Sequence, residues 1–124
     1  MKKHPFIAVI DFDRTIAKTV YPTIIEPIEE TVNFIRELQK RDSWIWILWT
    51  AREGKELDDA LAWLESQQLY PDYVNDNALC LVSKFRNNPR KVIGDIIIDD
   101  LNYGGLKVPP IEFLDTVKGV EYNV

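Results

Sequence analysis

The 124 residues include one cysteine, Cys80, and one histidine, His4. A lone cysteine closes no internal disulfide and offers no thiolate cluster for zinc, so a stapled scaffold and a cysteine-based metal fold are both excluded. Cys80 reads as a small buried hydrophobe. His4 precedes the first apolar run with nothing near it to mark it as a base, so the chemistry must rest on carboxylates, hydroxyls and amines. Basic residues are in deficit, 15 against 20 acidic ones for a net charge of -5. That balance argues against general nucleic-acid binding, which depends on basic patches. Long apolar runs are missing as well, and none approaches the ~20 residues needed to cross a bilayer. Met1-Lys2-Lys3 is basic, but the run behind it stops at Asp11 without a small-residue cleavage site, unlike a signal peptide. The expectation is a cytoplasmic protein with no membrane partner. Internal repeats and low-complexity tracts are absent too, and 46% hydrophobic with 28% charged residues is ordinary for one globular domain spanning 1–124.

What is present is a series of short apolar runs alternating with amphipathic stretches. Phe6 to Ile10 reads as a buried strand, and Trp44 to Trp49 as a second one, apolar throughout. Continuous hydrophobicity implies that both faces are covered, as in a parallel sheet flanked by helices. The tryptophans of the second run are therefore expected in the core. Val92 to Ile98 is a third strand, interrupted by Gly94-Asp95; Tyr73-Val74 and Ala78 to Val82 are weaker strand candidates. Between these, Ile28, Val32, Ile35 and Leu38 recur at helical spacing, with Pro27 suited to the first helical position. Leu57, Ala60, Leu61 and Leu64 mark a second helix from about Lys55 to Gln68. The segment from Thr15 to Glu26 reads as a loop, and Ile111 to Val117 as a short helix or strand. The fold class expected is α/β: a Rossmann-like three-layer domain with a mostly parallel central sheet and no cap domain.

Polar chemistry appears wherever a strong strand ends. Asp11 and Asp13 follow the first strand, Thr50 the second, and Asp99-Asp100 the third, with Lys91 ahead of that last run. Alternate residues of an extended segment point the same way, so Asp11 and Asp13 suit either one shared ion or a solvated turn. In an open parallel sheet, ligands bind beyond the strand carboxyl ends, so three such ends would converge on one crevice. Four carboxylates gathered there would repel unless a cation lay among them. Mg²⁺, which takes oxygen ligands from few carboxylates plus water and phosphate, fits that need.

The ordered set Asp11-Phe12-Asp13-Arg14-Thr15, Leu48 to Glu53, Lys91 and Ile98 to Gly105 resembles the motifs of the haloacid dehalogenase superfamily, especially its short capless members. The resemblance spans Val9 to Gly105. It implies a phosphatase in which Asp11 attacks phosphorus and Asp13 serves as proton carrier. Thr50 would hold the transferring phosphoryl group, and Lys91 would offset its charge. Mg²⁺ would sit on the Asp11 carboxylate, the Asp13 backbone carbonyl and Asp100, supported by Asp99. Backbone amides after Asp11 would cradle phosphate oxygens.

Lys84 also precedes the paired acids and competes with Lys91 for the phosphate. Arg14 stands where many relatives have glycine, and would either steer phosphate or point to solvent. Arg52 would contact substrate or lie exposed at the approach to a helix. With no cap, the site should be open. It would take a small phosphorylated substrate closed over by an oligomer neighbour, or an exposed phosphate on a larger molecule. Two other functions fit the residue types: a catalytically weak relative that binds a phosphorylated ligand or partner, and a phospho-accepting receiver domain. The receiver family places its paired acids early and its phosphorylated aspartate on a middle strand, the reverse of the order here.

Overall fold

The computed structural model describes residues 5–117. In chain order the elements are β1 (Phe6–Ile10), β2 (Ala17–Val20), β3 (Thr23–Pro27), α1 (Glu29–Gln39), β4 (Trp44–Leu48), α2 (Gly54–Ser66), β5 (Tyr73–Val74), α3 (Leu79–Phe85), β6 (Ile96–Ile98) and α4 (Phe113–Thr116). The main sheet runs β5-β4-β1-β6 and every pairing in it is parallel. His4 and Met1-Lys2-Lys3 lie outside the described residues.

Both faces of the sheet are covered, which explains the unbroken apolar runs. Along β1, Ala8 and Ile10 point into the larger core while Ile7 and Val9 point into a smaller one on the opposite face. β4 divides the same way: Trp44, Trp46 and Leu48 go to the larger core, Ile45 and Ile47 to the smaller. Helix α1 brings Val32, Phe34, Ile35 and Leu38 to the larger core, and α2 adds Ala60 and Leu64. Leu81 of α3, with Phe85 beside it, seals the smaller core. The result is the α/β, three-layer, mostly parallel arrangement. Each fully buried Ile, Leu or Val stabilises it by about 1.5–3 kcal/mol against exposure. The tryptophans divide by depth: Trp46 is fully buried, Trp44 nearly so, and Trp49 packs partly buried against the smaller core.

Several local expectations need correction. The stretch after Thr15 is not a loop but an antiparallel hairpin, β2–β3, turning at Tyr21-Pro22. Its apolar alternation is faint because Ala17 is its one fully buried residue. Pro27 closes β3 opposite Ala17 instead of opening α1, whose entry is fixed by the Ile28 amide donating to the Ile16 carbonyl (2.8 Å). Ala78 to Val82 is not a strand: Ala78 caps α3, and its carbonyl accepts from Leu81 and Val82. On that helix Cys80 is exposed, not buried, because Leu81 takes the core-facing position. Of Val92 to Ile98, only Ile96–Ile98 is strand. Val92 and Ile93 pack over the smaller core in a loop pinned by buried Asn77. The Asn77 amide donates to Asn88 Oδ1 and to the Pro89 and Lys91 carbonyls, and its Oδ1 accepts from the Ile93 amide.

Candidate active site at the strand carboxyl ends

Strand β1 lies between β4 and β6, so the chain leaves it first toward one side and later returns on the other. The carboxyl ends at such a reversal open a crevice between diverging connections. Asp11, Thr50 and the Asp99-Asp100 pair, which follow β1, β4 and β6, all reach it. The register continues past the strands: the Asp11 amide donates to the Ile98 carbonyl (3.0 Å), and the Trp49 amide to the Ile10 carbonyl (2.9 Å).

One carboxylate oxygen from each of Asp11, Asp99 and Asp100 lies within 4.8 Å of the others. Thr15, fully buried, ties the group together. Its hydroxyl lies 3.1 Å from Asp11 Oδ2 and 3.4 Å from Asp100 Oδ1, and it accepts the Asp100 amide at 3.0 Å. Asp99 is oriented by the Leu101 amide, which donates to Oδ1 at 2.9 Å. Burial, then the negative charge of Asp99, then a hydrogen bond shared with Asp100 push the Asp11 carboxyl up to about 7. The Phe12 amide and Thr15 hydroxyl relieve this only in part. Burial also works against ionisation of Asp100, but the hydrogen bonds from Arg14 and Asp11 and the Arg14 charge outweigh it and hold Asp100 below the usual carboxylate range. An all-oxygen set this close, with one member forced toward protonation, fits a hard cation such as Mg²⁺, which holds oxygens at roughly 2.0–2.1 Å. Asp11, Asp99 and Asp100 would hold it.

Asp13 does not bring its carboxylate to that cluster. Both of its oxygens face Arg52, which donates from Nε (2.9 Å) and Nη2 (2.8 Å) in a forked pair. Burial raises the Asp13 pKa, but Arg52 overcomes it and keeps Asp13 below the usual range. The buried Thr19 hydroxyl lies close enough to assist, although its geometry falls short of a hydrogen bond. Arg52 itself is neither exposed nor poised in solvent for substrate: its side chain is fully buried. Its Nη1 donates to the Glu56 carbonyl and Nη2 to that of Pro22, each at 3.1 Å. Its guanidinium lies over the rings of Phe12 and Tyr21, 5.0 Å from each centroid.

Arg14 adopts φ 60°, the left-handed conformation that glycine takes without steric penalty. Its side chain is 57% exposed and pairs with Asp100 through Nε at 2.9 Å, so it neither points idly to solvent nor stands apart from the acids. Thr50 receives the Arg52 amide on Oγ1 (3.1 Å) and donates its own amide to Asn75 Oδ1 (2.7 Å).

Asp11 opens onto two depressions. One, of about 300 Å³, is lined by Asp13, Arg14, Tyr21, Arg52 and Asp100. The other, of about 360 Å³, is lined by Trp49, Thr50, Asn75 and Asp99, and Ala51 and Leu101 border both. Lys91 and Lys84 line neither. The Lys91 carbonyl is held by Asn77, in the loop that packs over the smaller core, and its side chain is exposed. The loop amides after Asp11 are also more occupied than expected. Those of Thr15, Ile16 and Ala17 donate to the Phe12 carbonyl, and that of Arg14 to Ala17.

Thr15, Asn75 and Tyr21 join the site without having been assigned a part in it. Thr15 had a signal in its place four residues after Asp11; Asn75 and Tyr21 had none, because their approach depends on β5 and on the hairpin.

Among the described residues, no helix is long and apolar enough to cross a membrane. No protein-family model matches the chain, and no curated protein matches it significantly. The solved structure of a conserved protein from Bacteroides thetaiotaomicron is similar to it, with a TM-score of 0.72 and 32% identity over 90% of this chain and 87% of that one. With a third of its residues shared along nearly the whole of both chains, this protein belongs to the same family as that conserved Bacteroides protein.

Proposed function

We propose that the protein is a Mg²⁺-dependent phosphomonoester hydrolase of the haloacid dehalogenase type, working through an aspartyl-phosphate on Asp11. The observation that carries this reading is the convergence of Asp11, Asp99 and Asp100 beside Thr50 at adjoining strand ends. When bound, Mg²⁺ supplies positive charge that offsets the carboxylates and the incoming phosphate. Asp11, oriented by Thr15, attacks phosphorus as the bond to the leaving oxygen breaks. Thr50 accepts the Arg52 amide and keeps its own proton for a phosphoryl oxygen. Arg14, the exposed cation at the rim, draws the dianionic ester inward. Water then opens the aspartyl-phosphate, releasing inorganic phosphate and regenerating Asp11. Asp13, ionised beside Arg52, takes the proton of that water and returns it at the next leaving oxygen.

The forked pair that ties both Asp13 oxygens to Arg52 favours a second reading, a catalytically weak module that binds a phosphorylated ligand or partner. Hydrolysis of a generic aryl phosphate, with and without Mg²⁺, separates the two. The phosphatase requires Mg²⁺-dependent turnover that falls on the order of a thousandfold or more in Asp11→Asn, as loss of a nucleophile does. Absence of metal-dependent turnover across a panel of phosphate esters overturns the enzyme and leaves the binding module.

A further inference from the structure

The two depressions over Asp11 differ in chemistry, and the difference assigns a side to each half of a phosphate ester. Thr50, with its available hydroxyl proton, lies in one; Asp13, the proton carrier, lies in the other together with Arg14. A leaving oxygen must be within reach of the group that exchanges its proton. The leaving group therefore extends into the depression of about 300 Å³ that holds Asp13. Beside the charged Arg52 and Asp100, its wall carries Tyr21 from the hairpin turn, 58% exposed and absent from the lining of the other depression, and Leu101, which borders both.

Tyr21 is also held in place. The Arg52 guanidinium sits over its ring and also over that of Phe12, 5.0 Å from each centroid, so buried Arg52 links exposed Tyr21 to core Phe12. Arg52 further donates to the Pro22 carbonyl, which fixes the turn carrying the ring. A braced aromatic face beside the leaving-group position is a platform, and its ordering is already accomplished before a ligand arrives.

We propose that Tyr21 is the specificity-determining residue of this site and that its preferred ligands are phosphomonoesters whose phosphate is carried on a flat, unsaturated ring that stacks against it. This rests on the phosphomonoester reading above. Phenylphosphonate and methylphosphonate, whose P–C bonds resist hydrolysis, test it by calorimetric titration in the presence of Mg²⁺. Wild type should bind the phenyl compound roughly three- to tenfold more tightly than the methyl one, the range of an added aromatic pair. Tyr21→Ala should abolish that ratio and Tyr21→Phe should retain it; Tyr21 is surface-exposed, so both variants can be compared as folded proteins. Equal affinities in wild type, a ratio that survives in Tyr21→Ala, or no saturable binding of either compound overturns the proposal. Asp11-dependent turnover without the ring preference overturns only the role of Tyr21. Ring-selective binding without turnover overturns only the hydrolase.

Discussion

Replacing Arg52 with alanine should destabilise the protein far more than removal of a surface charge. The guanidinium is fully buried and holds a forked pair with Asp13, whose side chain is 14% exposed. Removing one partner of a buried ion pair leaves the other charge uncompensated and costs about 3–5 kcal/mol. Asp13 borders an open depression, which moves the figure toward the lower end of that range. The Glu56 and Pro22 carbonyls also lose donors, at roughly 1 kcal/mol each, and the slot between Phe12 and Tyr21 empties. The expected loss for Arg52→Ala is therefore about 5 kcal/mol, a large part of a domain stability of roughly 5–15 kcal/mol. Urea unfolding followed by tryptophan fluorescence measures it, with the slope against denaturant unchanged. Arg52→Lys keeps the charge without the fork and should lose about half as much. It keeps the test alive should the alanine variant fail to fold. In the double variant with Asp13→Ala the losses should fall short of additivity by about 2 kcal/mol, the coupling of contacting residues. A loss below about 1 kcal/mol in Arg52→Ala, near the range of surface substitutions, would refute the strut.

Asp11 predicts a pH effect of definite sign. Its pKa lies above its unfolded value, so the native state holds a proton that the unfolded chain releases, and metal-free stability should fall as pH rises from about 4 to about 7. The three-unit shift corresponds to about 4 kcal/mol, roughly halved for solvent screening at this partly open site. Asp11→Asn, or saturating Mg²⁺, should flatten that slope in unfolding experiments in dilute buffer; an identical slope in Asp11→Asn contradicts the assignment. Asp13 and Asp100, whose pKa values are lowered, contribute in the opposite sense, and their part is lost only below about pH 4. Gly94→Ala should destabilise by about 1–3 kcal/mol, because the added Cβ would come within 2.7 Å of Val9 Cγ2 and 3.2 Å of the Ile7 carbonyl oxygen. Unchanged thermal unfolding would mean that the loop over the smaller core yields freely.

The sheet was legible because its strands carry their own evidence. Phe6 to Ile10 and Trp44 to Leu48 are apolar on both faces, and only a sheet covered twice over accounts for that. The residues just past them were legible for a related reason. A strand end is a fixed place in space, so Asp11, Thr50 and Asp99-Asp100 could be assigned to one crevice from chain position alone. The hairpin and α3 were hidden because both are short and only partly buried, and periodicity needs a buried face to be visible.

Side-chain partnership was decided by the tertiary structure. Nothing local distinguishes Arg52 from a solvated charge at a helix approach, because its partners Asp13, Pro22 and Tyr21 come from another part of the chain. Arg14, at a left-handed position in the loop after β1, pairs with Asp100 across 86 residues of chain, a partnership its neighbours in the sequence do not reveal. By itself, the amino-acid order determined that an acidic cluster forms where β1 and β6 end. Packing decided which carboxylate remains in that cluster and which is turned away, because an ion pair forms with whichever opposite charge the fold brings within about 3 Å.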